Sequence, residues 1–476
     1  MSKLPRVILT IISVLITGLT LLRALRCWSN DSHLEHVAGA WIALAVDVRN
    51  GIFYRALYGP HGYGGTRFFP LYFLLHGGAI RILGSWRVPG YFLSAISIAL
   101  LLIGCYRLLR CLGAERWLAS AGLLALLAAS SVQDSLLTIR EDGMAAMLNV
   151  WGVTVCCSGE LTRRRIVMAA LLFALAFATK ESSIFGLAAV VLWLFLRRRS
   201  SDALRLIVAG VFGCTLVFCG IYFASGGRAL AVLRLTMTSQ TDFRGLLASP
   251  ATLLGILPGY WAETILLPLA LASLIARPTQ ERSALPALLF VCTLAVTLVI
   301  ISTPGAAGNH LLDLHIASVV LFITSVKDWS PEFGLAACSA AALIAFISFI
   351  PVYRDVDSVP VRDQYQNIAD TIGRTSKPIL ADNPLIPIVA GQEPYVTDAF
   401  MFREVIEKRP ALAEPLWHMI DNRQFAAIVL QDNPDTDEGR EIYLHYHFGG
   451  EFLQHLKASY EPSGTPGDHY LYLPRK

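Results

Sequence analysis

Between residues 4 and 350 the chain returns again and again to long apolar runs with almost no charge, and this constrains the fold more than any other feature. The runs cover residues 4–25, 88–109, 117–131, 143–158, 166–179, 182–196, 204–224, 260–276, 284–301, 311–326 and 333–350. A helix needs about 20 such residues to cross ~30 Å of hydrocarbon, so a polytopic α-helical membrane protein is expected. Charged residues make up only 16% of the 476 residues, well under the ~25% usual for soluble domains. The run at 70–83 is about 14 residues and short for a crossing, so it reads as a surface or half-inserted helix.

The charges that remain are sorted. Lys3/Arg6, Arg107/Arg110/Arg116, Arg163–Arg165, Arg197–Arg199, Arg277/Arg282 and Lys327 all fall on one side if 70–83 does not cross. By the positive-inside bias that side is the cytoplasm, which gives about eleven spans and a cytoplasmic N-terminus. The first run is expected to stay as an anchor, because no small-residue cleavage site follows it. From residue 351 the net charge is −7, against +11 for the rest, and the segment 351–476 reads as a separate soluble unit outside the cytoplasm. Stretches 378–382, 425–430 and 469–473 look like strands, with helical patterns at 364–372, 402–408, 411–422 and 438–456. A small α/β domain is expected there. All nine cysteines precede Ser339, so no disulfide framework stabilises that domain. The split charge indicates two solvents and not nucleic-acid binding.

The first outer loop, 30–84, opens with Asp31, His33, Glu35 and His36. Leu34, Val37, Trp41, Leu44 and Val48 then step by three and four residues, as on a helix lying on the lipid surface and ended by Gly51. Other ionisable groups gather at the same outer ends: Arg140-Glu141-Asp142, the Lys180-Glu181 turn, His310, Asp313 and His315. Charge at membrane depth is costly and is kept mainly where it has a partner or a task. Each residue also has a plainer reading. Asp31 suits a helix N-cap, Glu141 and Asp142 suit a helix dipole, and Lys180 can snorkel with Glu181 as its partner. Arg49, Arg55 and Arg67 suit interfacial anchoring. Several such sites on one side nevertheless point to a shared cavity.

Taken together these motifs resemble the GT-C membrane glycosyltransferases. The similarity rests on the acid after span one, the surface helix, Arg67-Phe68-Phe69-Pro70-Leu71-Tyr72, the acids before Gly143 and the Ala178-Thr179-Lys180-Glu181 turn. The branch resembled is the bacterial RgtA/B/C/D-like group, related to protein mannosyltransferases and the aminoarabinose transferase of lipid A. The resemblance implies transfer of a sugar from a polyprenyl-phosphate donor to an envelope glycan, lipid or protein hydroxyl at the outer face of a bacterial plasma membrane. It implies Asp31 as base, Lys180 near the donor phosphate, and Glu141 or Asp142 as a second acid that orients the acceptor, holds the network of Asp31 or binds a divalent cation. Arg67 and Arg140 are added here as phosphate ligands, and Glu35, His36, Tyr72, His310 and Asp313 as further substrate contacts. A multi-span transporter or lipid flippase, or a non-catalytic partner in envelope polysaccharide assembly, remains the competing reading.

Overall fold

The computed structural model describes residues 3–237, 243–275, 284–303, 308–327, 331–354 and 364–476; Arg277 and Arg282 lie outside the described residues. Sixteen helices run in order before the tail: α1 (Lys3–Asn30), α2 (His36–Arg49), α3 (Pro70–Leu83), α4 (Arg87–Cys111), α5 (Arg116–Ala128), α6 (Ser130–Leu137), α7 (Asp142–Cys157), α8 (Arg163–Thr179), α9 (Phe185–Leu196), α10 (Ser200–Ala224), α11 (Arg228–Met237), α12 (Phe243–Ile256), α13 (Trp261–Ile275), α14 (Ala284–Ile301), α15 (Leu311–Val326) and α16 (Pro331–Arg354). By length and apolarity five of the described helices suffice to cross a membrane, or six when α5 and α6, bent by 62°, count as one. α3, α7, α9 and α13 are apolar but shorter. Large apolar side chains such as Val14, Phe212 and Phe223 remain more than half exposed on α1 and α10, as a lipid-facing surface requires.

Direction along these helices fixes the polarity of the bundle. α4 begins at Arg87, which binds Asp31, and ends at Arg107 and Arg110. α8 begins at Arg163–Arg165 and ends at Lys180, and α9 returns to Arg197–Arg199. Lys327, at the end of α15, donates to the Leu112 carbonyl just beyond α4. These basic clusters therefore gather at the end opposite Asp31, Asp142 and Lys180.

α2 departs from expectation. Its residues Ala38–Ala45 are all buried, because α3 packs on one side and α18 (Leu385–Val389) of the tail on the other. It is sandwiched in protein and does not lie on lipid. The fit is close: a Cβ at Gly39 would stand 2.1 Å from Asn383 Oδ1, and one at Gly77 of α3 would stand 2.6 Å from the Ala45 carbonyl. Trp41 is fully buried, stacked 4.4 Å from Phe68 and edge-on to Tyr72 at 5.4 Å. Such pairs contribute about 1 kcal/mol each beyond area burial. Arg55 also departs from expectation. Instead of anchoring at lipid it is buried, pairs with Asp47 at 2.5 Å and donates to the Pro394 carbonyl at 2.8 Å, tying loop to tail.

After residue 363 come α17 (Gln364–Ile372) and a four-stranded sheet in the order β3-β4-β6-β5. The first two strands of the chain, β1 (Tyr58–Gly59) and β2 (Gly62–Tyr63), form a small hairpin in the first loop. In the tail sheet β3 (Ile379–Ala381) runs parallel to β4 (Ala427–Leu430), and β6 (Tyr470–Pro474) pairs antiparallel with β4 and with β5 (Tyr460–Gly464). β5 reads Tyr-Glu-Pro-Ser-Gly and gives no apolar pattern, which is why the sequence does not announce it. α19 (Ala399–Lys408), α20 (Glu414–Asp421), α21 (Asp437–His445) and α22 (Gly450–Ser459) complete the tail. The single helix expected at 438–456 is broken where Phe448 and Gly449 both take positive φ. α11 and α12 occupy a stretch between the apolar runs 204–224 and 260–276 for which the sequence predicts no element.

Candidate active site

The end of α1 delivers Asp31, which is fully buried and sits at φ +53°, a conformation aspartate tolerates better than most residues. It does not cap α2; the residue at that position is Glu35, whose side chain makes no capping bond. Instead Arg87 Nε approaches its carboxylate to 3.0 Å and Tyr91 Oη donates to it at 2.9 Å. Both partners lie in the first turns of α4, so the loop 30–84 is closed at its two ends by one ion pair. Arg87 is the residue sequence reasoning missed. Its only signal is that it is the cation standing just before the 88–109 run.

A second group forms where α7, the α8–α9 turn and the start of α15 converge. Lys180 Nζ donates to Asp142 Oδ1 at 2.5 Å, with both side chains less than a tenth exposed. His310 Nδ1 lies 3.4 Å from the same ammonium, and Asn309 Nδ2 donates to both Asp142 oxygens at 3.4 Å. Glu181, the expected neutralising partner, points to solvent while Asp142 takes its place. Glu141 is buried beside this group, and its Oε2 has no hydrogen-bond partner among the described residues.

Arg140 joins the two groups. Its guanidinium meets Glu35 at 2.8 Å, four residues from Asp31, and its own neighbours in sequence are Glu141 and Asp142. No hydrogen bond among the described residues joins Asp31 directly to Asp142. The tail contributes the cover. Arg67 lies 4.9 Å from the Phe400 ring, and the ring of His36 meets that of His447 edge-on at 4.5 Å. Burial holds the His36 imidazole well below its ordinary value, with His447, Arg140 and Arg67 adding to the effect and Asp382 opposing it. In the tail, burial would raise the carboxyl of Asp382, yet hydrogen bonding and charge from His447 and the Gln431 amide keep it below its usual range. Neither His447 nor Asp382 carries a readable motif; both reach the site only through the fold.

Tyr72 and Asp313 stand at the edge of the Lys180–Asp142 group, and Asp313 remains within electrostatic reach of Lys180 and Asp142. Tyr72 is fully buried with its hydroxyl 3.1 Å from Ser94 of α4, a helix-packing bond. Asp313 lies deeper between α7, α9, α14 and α15, beside Asn149 and Thr293. His315 is buried, with Nε2 3.4 Å from the Ala125 carbonyl. Among the described residues no three His, Cys, Asp or Glu side chains converge, and Asp31 and Asp142 each carry a side-chain cation.

No family model and no curated protein sequence matches this chain. Solved structures do. The chain is similar to ArnT from Cupriavidus metallidurans bound to undecaprenyl phosphate, with a TM-score of 0.63, 12% identity and coverage of 96% of this chain and 97% of that one. It is similar to the Archaeoglobus fulgidus oligosaccharyltransferase in complex with zinc and sulfate, with a TM-score of 0.54, 14% identity and coverage of 96% and 73%. It also matches the arabinofuranosyltransferase AftD from Mycobacteria, with a TM-score of 0.55 and 13% identity over 97% of this chain and 40% of that one. The chain thus has the GT-C fold of membrane glycosyltransferases.

Proposed function

We propose that this protein is an inverting glycosyltransferase that moves a sugar from a polyprenyl-phosphate donor to an acceptor hydroxyl at the outer membrane–water boundary. The observation that carries the reading is the Lys180–Asp142–His310 group beside Arg67 and Arg140, at the bundle end opposite the arginine clusters and under the tail. Similarity to ArnT bound to undecaprenyl phosphate supports the donor class. The chain then crosses about eleven times. Those crossings are α1, α4, the bent α5–α6 pair, α7 to α10 and α13 to α16. Residues 1–350 form the membrane domain, 351–476 the extracytoplasmic domain, and the N-terminus is cytoplasmic.

A donor with a prenyl tail cannot leave the bilayer, so its phosphate must meet cations at the membrane face. Lys180 is held for this by Asp142, which acts as a positioning residue, while Arg67 and Arg140 offer guanidinium donors. Asp31, oriented by Arg87 and Tyr91, accepts the proton of the acceptor hydroxyl. The acceptor oxygen bonds to C1 as the C1–O bond to phosphate breaks, and the electron pair leaves on polyprenyl phosphate. Attack from the opposite face inverts the anomeric centre. The leaving phosphate is already stabilised by the cations, so that end needs no general acid. Asp31→Asn should lower transfer from radiolabelled polyprenyl-phosphate sugars by about a hundredfold or more, with expression and membrane insertion unchanged. Activity near wild type in that variant would remove Asp31 from the role.

A further inference from the structure

At the far end of the bundle a cavity of about 500 Å³ lies between the end of α4, the end of α7 and the start of α8. That volume falls in the usual ligand-pocket range of about 300–1,000 Å³. Three arginines line it, Arg107, Arg110 and Arg165, together with Tyr106, Trp151 and Ser158, and no carboxylate does. From Arg87 at the Asp31 ion pair to Arg110 is 23 residues of one helix, about 35 Å, so this pocket is remote from the transfer site.

The donors are incompletely used. Arg110 gives one bond to the Ala114 carbonyl at 2.6 Å and Arg165 one to the Glu160 carbonyl at 3.2 Å, out of five N–H groups on each guanidinium. Arg107 rests 5.7 Å from the Trp151 ring and makes no hydrogen bond or ion pair among the described residues. Trp151 is itself fixed by its Nε1 bond to the Leu100 carbonyl at 3.0 Å.

The surroundings name the ligand. One and two turns from Arg107 toward the membrane interior, Ile103 and Leu100 are 48% and 36% exposed. From Arg165 in the same direction, Met168, which also lines the cavity, is 43% exposed, and Leu171 beyond it is 57% exposed. Cations and aromatic rings at headgroup level thus stand directly above an apolar shelf that continues down the bundle. A free anion would use only the upper part; a phospholipid would use both. We propose that this pocket binds the phosphodiester headgroup of an anionic glycerophospholipid from the inner leaflet, with its acyl chains on the α4–α8 shelf.

The test uses the full-length protein in nanodiscs of phosphatidylcholine containing a minority of phosphatidylglycerol, with retained lipid counted by native mass spectrometry. Wild type should retain phosphatidylglycerol in preference to phosphatidylcholine. Each loss of an arginine should lower that preference about fivefold, so Arg107→Gln combined with Arg165→Gln should lower it about twenty-five-fold. Arg164→Gln removes an exposed charge outside the cavity and should leave the preference intact. Glycosyl transfer retained in all three proteins shows that they are folded. Equal preference in wild type and the double variant, or equal loss in Arg164→Gln, would overturn the proposal. Saturable binding of radiolabelled inorganic phosphate to wild type, lost in the double variant, would also overturn it, by identifying a free-anion site.

Discussion

The Lys180–Asp142 contact is a buried ion pair, and pairs of this kind are known more by what breaking them costs than by what they add. Removing Lys180 leaves a carboxylate without its cation, and removing Asp142 leaves an ammonium beside His310. Lys180→Ala should therefore destabilise the protein by about 3–5 kcal/mol, and combining it with Asp142→Asn should cost clearly less than the sum of the two single changes. Denaturant unfolding in detergent measures this, and strict additivity would mean that the two do not interact. All three variants should lose transfer. Both residues of this pair were legible as candidates, but their pairing was not. Lys180 stood out as a lysine between two apolar runs, but its nearest acid in sequence is Glu181, and the partner actually used lies 38 residues earlier. Asp31 was legible on the same ground, whereas Arg87 looked like an ordinary residue at a helix start.

At the scale of elements, α2 shows what periodicity can and cannot tell. Its apolar stripe reads equally well against lipid or protein. The discriminating signal lies on the other faces, where Ala38, Gly39, Ala40, Ala43 and Ala45 replace the charges a solvated surface helix would carry. A helix with no charged face between His36 and Asp47 is covered all round. Because α2 meets the tail through His36 and His447, this junction should respond to pH. His36 binds protons less readily when folded than when unfolded, since its folded pKa is lowered from 6.5. The unfolded chain therefore takes up more protons below about pH 6.5, and stability must fall as pH drops through that value. Asp382, lowered in the folded state, adds a loss of the same sign at lower pH, below the ordinary carboxylate range. Thermal unfolding between pH 7.5 and about 5.5 should show a decline that is reduced in His36→Gln. An unchanged decline in that variant would mean that other groups control it. The strands β3, β4 and β6 were visible as short apolar runs, whereas β5, α11 and α12 were not.

Across the whole molecule, the alternation of helix direction brings residues from five separate stretches to one end and the arginine clusters to the other. Hydropathy made the apolar helices legible, and the run of charges showed the basic clusters alternating with the acid-bearing ends, because both are properties of composition. The cover that the tail places over Arg67 and His36 was not legible, because it depends on where a separate sheet docks. If the account of sidedness holds, single cysteines placed at Glu181 and Glu393 should react with an impermeant thiol reagent in whole cells, and one at Arg164 should not. Labelling at Arg164 from outside would reverse the orientation.

The central claim is that Lys180, Arg67 and Arg140 form a cradle for a lipid-linked phosphate. Equilibrium binding of radiolabelled undecaprenyl phosphate to the purified protein tests it most directly. The account predicts saturable binding that weakens by about tenfold or more in Lys180→Met and again in Arg67→Gln, with Arg164→Gln unaffected. Binding of equal strength in all four proteins, or no saturable binding to wild type, would contradict it.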